Sequence, residues 1–186
     1  MLVLRSRKSV SEGIAALCLT SLLAIGASAP ASAQSSTMNG FKLANDQPIN
    51  ITSTDAHVDD KTKNIIFTGD VVATQGDNKV QAAKMIVKYQ GGSTGIASGG
   101  GDLERIDLVD NVQVNSKTQQ ATADTGYFDM VSQQIVLEGK KVVLTEGKNV
   151  FVGCKLTVNM VTSEAKLDAC GGRVQIQLDP SSQKKN

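Results

Sequence analysis

The sequence predicts an all-β protein in which antiparallel strands form an open-ended series of repeats. Beyond residue 46, apolar and polar residues alternate with period two in almost every segment, which is typical of strands with one buried face. No window after residue 33 has a convincing helical period. Beyond that point proline occurs only at Pro48 and Pro180, near the two ends, so the strand interiors between them keep their backbone donors.

The first residues have the features of a secretory signal peptide. Basic residues lie within positions 5–8, an apolar run covers residues 14–25, and Ala31-Ser32-Ala33 provides a cleavage signal. We therefore predict a signal peptide over residues 1–33, cleaved after Ala33. An uncleaved membrane anchor is the alternative, although the apolar run is shorter than the ~20 residues that span a bilayer. Cleavage leaves 153 residues whose summed net charge is close to zero. Residues 34–45 are expected to form a flexible segment.

Alternation defines the predicted strands in order along the chain. Their apolar faces comprise Ile65, Phe67 and Val71; Ile106, Leu108, Val112 and Val114; Val150, Val152, Cys154, Leu156, Val158 and Met160; and Val174, Ile176 and Leu178. Residues 80–89 are apolar on both faces, which indicates a β-bulge whose phase the pattern does not fix.

A weak internal repeat accompanies the alternation. Similar turn-and-strand units begin at Gly69, Asp110 and Gly139, with a partial unit at Gly171, and such repeats stack so that each buries its apolar face on the next. The first unit is longer because a glycine-rich insert, interpreted as a flexible loop, lies between Gln90 and Asp102. The polar tail, residues 179–186, is predicted to be disordered.

Composition excludes several classes of function. The formal net charge is only +1, aromatic residues make up 3% and tryptophan is absent, so a nucleic-acid interface is not expected. His57 is the single histidine, which rules out a histidine-based metal cluster within one chain. The carboxylates fall at strand ends and turns, where they punctuate structure. We predict no catalytic residue, no metal and no cofactor.

Two cysteines follow the predicted signal peptide, Cys154 and Cys170. Outside the cytoplasm such a pair indicates a disulfide, worth about 3 kcal/mol for a short loop. The alternative is two small buried side chains that never meet. If Leu156 pairs with Ala169 across a hairpin, Cys154 lies opposite Gly171, and the bridge then requires a bulge at Gly171-Gly172.

The apolar content itself leaves two interpretations open. The inward-facing residues are mainly aliphatic, so the strands can enclose a solid core. The same walls can also be splayed apart to hold a linear acyl chain, because contacts between aliphatic groups are non-directional and cumulative.

Three stretches of sequence resemble a known family. They are Asp46-Gln47-Pro48-Ile49-Asn50-Ile51-Thr52-Ser53, the segment from Asn64-Ile65-Ile66-Phe67-Thr68-Gly69-Asp70 to Gly76, and Ala82-Ala83-Lys84. Together they are similar to the OstA-like family of periplasmic lipopolysaccharide-transport proteins. The resemblance runs from about Asn45 to Leu178, so we place the OstA-like domain at residues 46–178.

The resemblance implies a V-shaped, twisted antiparallel β-jelly roll, an open-ended two-sheet fold that encloses a groove for the acyl chains of lipid A. It implies a periplasmic transport protein rather than an enzyme. The implied partners are lipopolysaccharide, the inner-membrane protein LptC and the outer-membrane protein LptD, the proteins being joined by pairing of edge strands. Copies of the chain would associate head to tail. The alternatives are a structural module that polymerises without lipid and an enzyme acting on envelope polysaccharide.

Carried over onto this sequence, the resemblance places Ile49 and Ile51 near the upstream entrance of the groove. The remaining predicted groove residues are Ile65, Phe67, Val71, Met85, Val87, Val112, Tyr127, Leu137, Val152, Leu156 and Val158. For each of them, an ordinary place in a packed core is the alternative.

Overall fold

Ten antiparallel strands make up about two thirds of the chain that this computed structural model describes, namely residues 41, 43, 47–91 and 101–183. The strands are β1 (Asn50–Thr52), β2 (Asp55–Asp59), β3 (Asn64–Gln75), β4 (Asn78–Gln90), β5 (Asp102–Asn115), β6 (Gln119–Asp129), β7 (Gln134–Glu146), β8 (Asn149–Asn159), β9 (Ala165–Asp168) and β10 (Gln175–Gln177). The predicted all-β class is confirmed. The predicted signal peptide, most of residues 34–45 and most of the glycine-rich insert lie outside the described residues.

The strands pair largely with their neighbours in the sequence. The central order is β1-β3-β4-β5-β6-β7-β8-β10. The first strand, β1, pairs with residues 72–74 of β3, whereas β2 pairs with residues 64–68 of the same strand. At the other end, β10 pairs with residues 150–152 of β8, and β9 pairs with residues 155–158. Each end of the sheet is therefore closed by two short edge strands rather than one.

A register shift interrupts each of the central strand pairs. The shifts fall between Thr68 and Val71, Gln81 and Lys84, Val109 and Val112, Thr122 and Thr125, and Glu138 and Val142. Bulges bend strands and increase their twist, so each long strand is divided into two halves. One layer runs from β2 to β9 and the other from β1 to β10, and apolar side chains fill the space between the layers.

The bulges give the predicted repeat its physical meaning. The units predicted to begin at Gly69, Asp110 and Gly139 all begin at a register shift. Gly69, Asp70, Asp110 and Asn111 have positive φ angles, a conformation that glycine, aspartate and asparagine tolerate best. The bulge predicted within residues 80–89 is also present, between Gln81 and Lys84.

The buried core is continuous from β3 to β8. Its largest fully buried side chains are Phe128, Met85, Leu108, Ile135, Leu137 and Leu156. The core starts earlier than the predicted domain boundary, because Phe41 is only 3% exposed and belongs to it. At the other end, the tail expected to be disordered from residue 179 instead forms a 3₁₀ turn at Pro180–Gln183. The backbone N–H of Asp179 donates to Asn149 Oδ1 at 2.9 Å, which ties the start of the turn to β8.

Cys154 and Cys170 are joined by a disulfide, with a Cα–Cα distance of 5.9 Å. The pairing considered for this hairpin was wrong: Leu156 lies opposite Leu167, not Ala169. This register brings the chain back over Cys154 immediately after β9 ends at Asp168. No bulge at Gly171-Gly172 is required. Instead, Cys170 has a φ of 46° within the turn that leads from β9 towards β10.

Candidate functional site

The inner faces of the two layers form the main candidate site. Directly opposed residues on adjacent strands lie on the same face, so the register assigns each predicted groove residue to a face. All but two of them face the interior or pack against the core: Ile49, Ile51, Ile65, Phe67, Val71, Met85, Val87, Val112, Leu137, Leu156 and Val158. The two layers therefore present a continuous apolar interior.

Placement on the inner face was wrong for Tyr127. This residue lies opposite Asp107 and Val136, and it alternates with Phe128, which is the buried inner residue of β6. Tyr127 is on the outer face, where the Arg105 guanidinium stacks 3.6 Å from the ring centroid. The inner position before Phe128 is Gly126, where an added Cβ would lie 2.5 Å from Leu137 Cδ2. The glycine therefore makes room for a core leucine.

Val152 is also on the outer face, because β8 changes phase at its bend. Leu156 lies opposite Leu137 in the core, but beyond the bend Gly153 lies opposite Val142 and Phe151 opposite Leu144. Both partners on β7 are buried, so Phe151 and Gly153 face inward and Val152 faces out. The prediction for Val152 assumes an unbroken alternation from Val150 to Met160, which the bend interrupts.

An ion cluster covers the outer face of one layer. Its members are Lys88, Arg105, Asp107 and Asp129, and Lys88 Nζ lies 2.8 Å from Asp107 Oδ2. Partial burial opposes ionisation of Asp107, but the bonds from Lys88 and Arg105 outweigh it and lower the pKa of Asp107. This cluster and Tyr127 belong to a surface network rather than to a reactive site.

The predicted set of groove residues omits several residues of the interior. They include Phe41, Leu43, Ile106, Leu108, Phe128, Ile135, Leu144 and Phe151. For Ile106 and Leu108 the alternation was visible. Phe41 and Leu43 are two positions apart, as Ile49 and Ile51 are, and this alternation was their only signal in the sequence. In the layer that runs from β1 to β10, the amide side chains of Gln75 and Gln119 are buried near the turns.

Two pockets lie on the open side of the layers, at the end nearest β1. The inner pocket has about 310 Å³ of empty space, and its walls include Ala73, Val80, Met85, Ile106 and Phe128. The outer pocket encloses about 1120 Å³, and its walls include Tyr89, Leu103 and Met130. Both volumes include space that is open to solvent. Burial beside this pocket raises the pKa of Tyr89 above its usual value.

The two ends of the fold are built alike. Within the described ranges, the outer edges of β1, β2, β9 and β10 have no strand partner. At the first end, the Thr54 N–H donates to Gly69 O at 2.9 Å and fixes the link between β1 and β2. At the second end, the disulfide fixes the link between β9 and β10 to β8. Apolar side chains are exposed at both ends: Val58 at the first, and Val174, Ile176 and Leu178 at the second.

The chemistry of this arrangement is that of apolar binding and strand addition. Among the described residues, no three His, Cys, Asp or Glu side chains are grouped so that they could hold a metal ion. In the same part of the chain, no helix has the length and hydropathy needed to cross a membrane. The inner faces offer aliphatic and aromatic contacts, and the ends offer backbone hydrogen-bonding groups.

Fold and site together define a class of protein: an open-ended, two-layer β-jelly roll with an apolar interior and free strand edges at both ends. The family described as LptA/(LptD N-terminal domain) LPS transport protein matches residues 50–164. The chain belongs to this lipopolysaccharide-transport family.

Similar proteins agree with this assignment. An uncharacterised protein of Rhizobium meliloti is 52% identical over 162 residues, which is 87% of either chain. The lipopolysaccharide export system protein LptA of Escherichia coli is 32% identical over 141 residues, which is 73% of either chain. Among solved structures, LptH of Pseudomonas aeruginosa has a TM-score of 0.61 at 21% identity and covers 73% of this chain and 98% of its own. This last likeness confirms the jelly-roll fold.

Proposed function

We propose that this protein is a periplasmic carrier that shields the acyl chains of lipid A between its two layers and bridges inner- and outer-membrane transport complexes. The observation that carries the proposal is the interior itself, which is apolar from the β1 and β2 end to the β9 and β10 end. A saturated acyl chain is recognised by such surfaces because its contacts are non-directional and add up along its length.

The two pairs of edge strands support the bridging role. An exposed edge pairs readily with a strand of another protein, and here each layer has one free edge at each end. The inner face of one copy would therefore continue into that of the next when copies associate head to tail, an arrangement that extends without closing. LptC at the inner membrane and LptD at the outer membrane are the partners proposed for the terminal edges.

A periplasmic location fits the predicted signal peptide and the disulfide. LptH is described as the LptA-homologous periplasmic component of a lipopolysaccharide transport device. In the proposed function, the chain performs no covalent chemistry. It binds lipid strongly enough to exclude water from the acyl chains and weakly enough to release them to the next carrier.

The first experiment tests lipid binding directly. The delipidated protein is mixed with lipopolysaccharide and examined by native mass spectrometry, with lipid A and the free polysaccharide as competitors. We expect a stoichiometric complex that lipid A displaces and polysaccharide does not. Absence of binding by protein with a β-rich circular dichroism spectrum would overturn the carrier function. It would favour a structural module that polymerises by strand addition, whose tightly buried interior residues, such as Met85 and Val142, form a solid core.

A pair of variants separates the interior from the surface. Ile51 packs against the core near the proposed entrance, whereas Ile66 lies between two inner residues of β3 and faces out. We expect Ile51→Glu to lose lipid binding with its fold retained, because a carboxylate at the entrance disfavours acyl chains. Ile66→Glu is the matched control and should bind as the parent does. Equal binding by all three proteins would contradict the proposed location.

A further inference from the structure

Two residues ahead of β1 occupy part of the interior described above. Phe41 is 3% exposed and belongs to the cluster of buried residues between the layers. Leu43 packs against the same cluster. We refer to Phe41 and Leu43 as the plug. An apolar plug is a reasonable filling for a space that would otherwise expose aliphatic walls to water.

Leu43, one of the two plug residues, lies at the boundary between the two pockets. Leu43 lines the inner pocket together with Ala73, Val80 and Phe128, and it also lines the outer pocket together with Leu103. Ile49, which precedes β1, lines both pockets as well. Leu43 and Ile49 thus lie between an apolar pocket and a larger pocket whose lining is partly polar. Displacement of Leu43 would remove a side chain that separates the two pockets.

The plug is held differently from the rest of the core. The other buried residues lie on strands, where ladder hydrogen bonds fix the backbone, but none of the described residues ahead of β1 belongs to a strand. Near the plug, Gln75 Nε2 donates to the backbone oxygen of Gln47 at 2.9 Å. Side-chain burial contributes to its attachment, and burial is an interaction that another apolar group can replace.

We propose that the space filled by the plug is a binding site for an acyl chain, and that lipid enters it by displacing Phe41 and Leu43 from between the layers. This inference rests on the proposed carrier function. It adds that the plug competes with the acyl chain for the same space. The plug keeps the interior dry while the protein is empty, and the arriving acyl chain takes over the same contacts.

Competition of this kind lowers the apparent affinity for lipid. The apparent dissociation constant equals the intrinsic one divided by the fraction of molecules with an open site. If the plug is seated in about nine molecules of ten, its removal raises the affinity about tenfold. The gain would be paired with a loss of stability in the empty protein, since Phe41 is a core residue when seated.

The chain offers a clean optical test, because it contains no tryptophan. In Phe41→Trp the single indole reports on the plug. We expect blue-shifted emission that iodide quenches poorly in the empty protein, and red-shifted, readily quenched emission once purified lipid A is bound. The control is Phe151→Trp, at an inner position of β8 remote from the plug in sequence and in strand order, whose emission should not shift to the red.

Lipid A binding is measured in parallel by native mass spectrometry, so the two proposals can fail separately. If lipid A binds and the indole emission of Phe41→Trp stays blue and shielded, the plug is permanent core and the inference is overturned. If lipid A does not bind to the parent protein, the carrier function falls and the inference falls with it.

A second pair of variants does not depend on the indole. Phe41→Ala should melt at a lower temperature than the parent protein yet bind lipid A more tightly. Leu144→Ala is the matched control, since Leu144 is also 3% exposed but lies on β7, away from both pockets. It should melt lower without binding more tightly. Lower affinity in both variants would show that Phe41 acts only as core.

Discussion

Gly126 shows how a single residue shapes the interior. A Cβ at this position would lie 2.5 Å from Leu137 Cδ2 and 2.8 Å from the Val136 carbonyl oxygen. We expect Gly126→Ala to lower the free energy of unfolding by about 2 kcal/mol, as overpacked cores typically do. Chemical denaturation measures the change. The control is Gly172→Ala, whose Cβ would meet nothing closer than 3.4 Å, and an equal loss in both variants would contradict the steric explanation.

Asp107 makes stability depend on pH in a defined direction. Because Lys88 and Arg105 lower its pKa in the folded protein, the ionised carboxylate stabilises the fold above about pH 4, the value of an unperturbed aspartate. This contribution is lost as the pH falls through the lowered pKa. Asp107→Asn should therefore cost about 1 kcal/mol at pH 7, the scale of a surface ion pair, and progressively less below pH 4.

Urea denaturation at pH 7 and at pH 3 measures this difference. The control is Asp77→Asn, an exposed residue in the turn between β3 and β4, which should change neither value. A loss for Asp107→Asn that stays the same at both pH values would show that the side chain acts through packing rather than charge.

At the scale of an element, the disulfide acts on the link between β9 and β10. We expect Cys154→Ser/Cys170→Ser to lose about 3 kcal/mol of stability, since the cross-link constrains the unfolded chain. Limited proteolysis should also cut residues 169–174 sooner, because the turn loses its tie to β8. Reduction of the parent protein should reproduce both effects and leave the double variant unchanged. A melting temperature that does not respond to reduction would contradict this role.

The strands themselves were largely predictable, and their faces were not always so. Alternation places Val71, Val112 and Leu137 correctly because each lies within an unbroken half-strand. It fails for Tyr127 and Val152 because β6 and β8 change phase at a bend, where polar or small residues leave no hydrophobic signal. The same difficulty was visible in β4, where apolar residues on both faces revealed the bulge. The phase change in β4 was detectable because apolar residues occupy both faces over most of its length.

The burial of the plug could not be predicted from the sequence, for a different reason. Phe41 and Leu43 precede the family resemblance and lie in a short polar stretch, so composition favoured a flexible segment. Their burial depends on a space between layers that forms only when strands distant in sequence, such as β3 and β6, have assembled.

For the whole molecule, the proposed end-to-end association can be tested directly. Ile176 on β10 is 58% exposed, so a charge there should leave the fold intact while opposing contact with another copy. We expect Ile176→Glu to weaken self-association at least about tenfold, or about 1.4 kcal/mol, by analytical ultracentrifugation. Val131→Glu is the control, since Val131 is 71% exposed but lies in the turn between β6 and β7, away from the edge strands. Equal weakening would point to a non-specific charge effect.

The pairing of strands with their sequence neighbours also bears on how the protein is made. Every central strand from β3 to β8 pairs with the strand that precedes or follows it, so each hairpin closes only a short loop and loses little chain entropy. Synthesis supplies the strands in the same order in which they stand in the sheet. The hairpins can thus form one after another in the order of the sequence. The disulfide can form once β9 has been added. The free edge that is proposed to bind a partner is thus the last of a series of edges, each of which has received the next strand of the same chain.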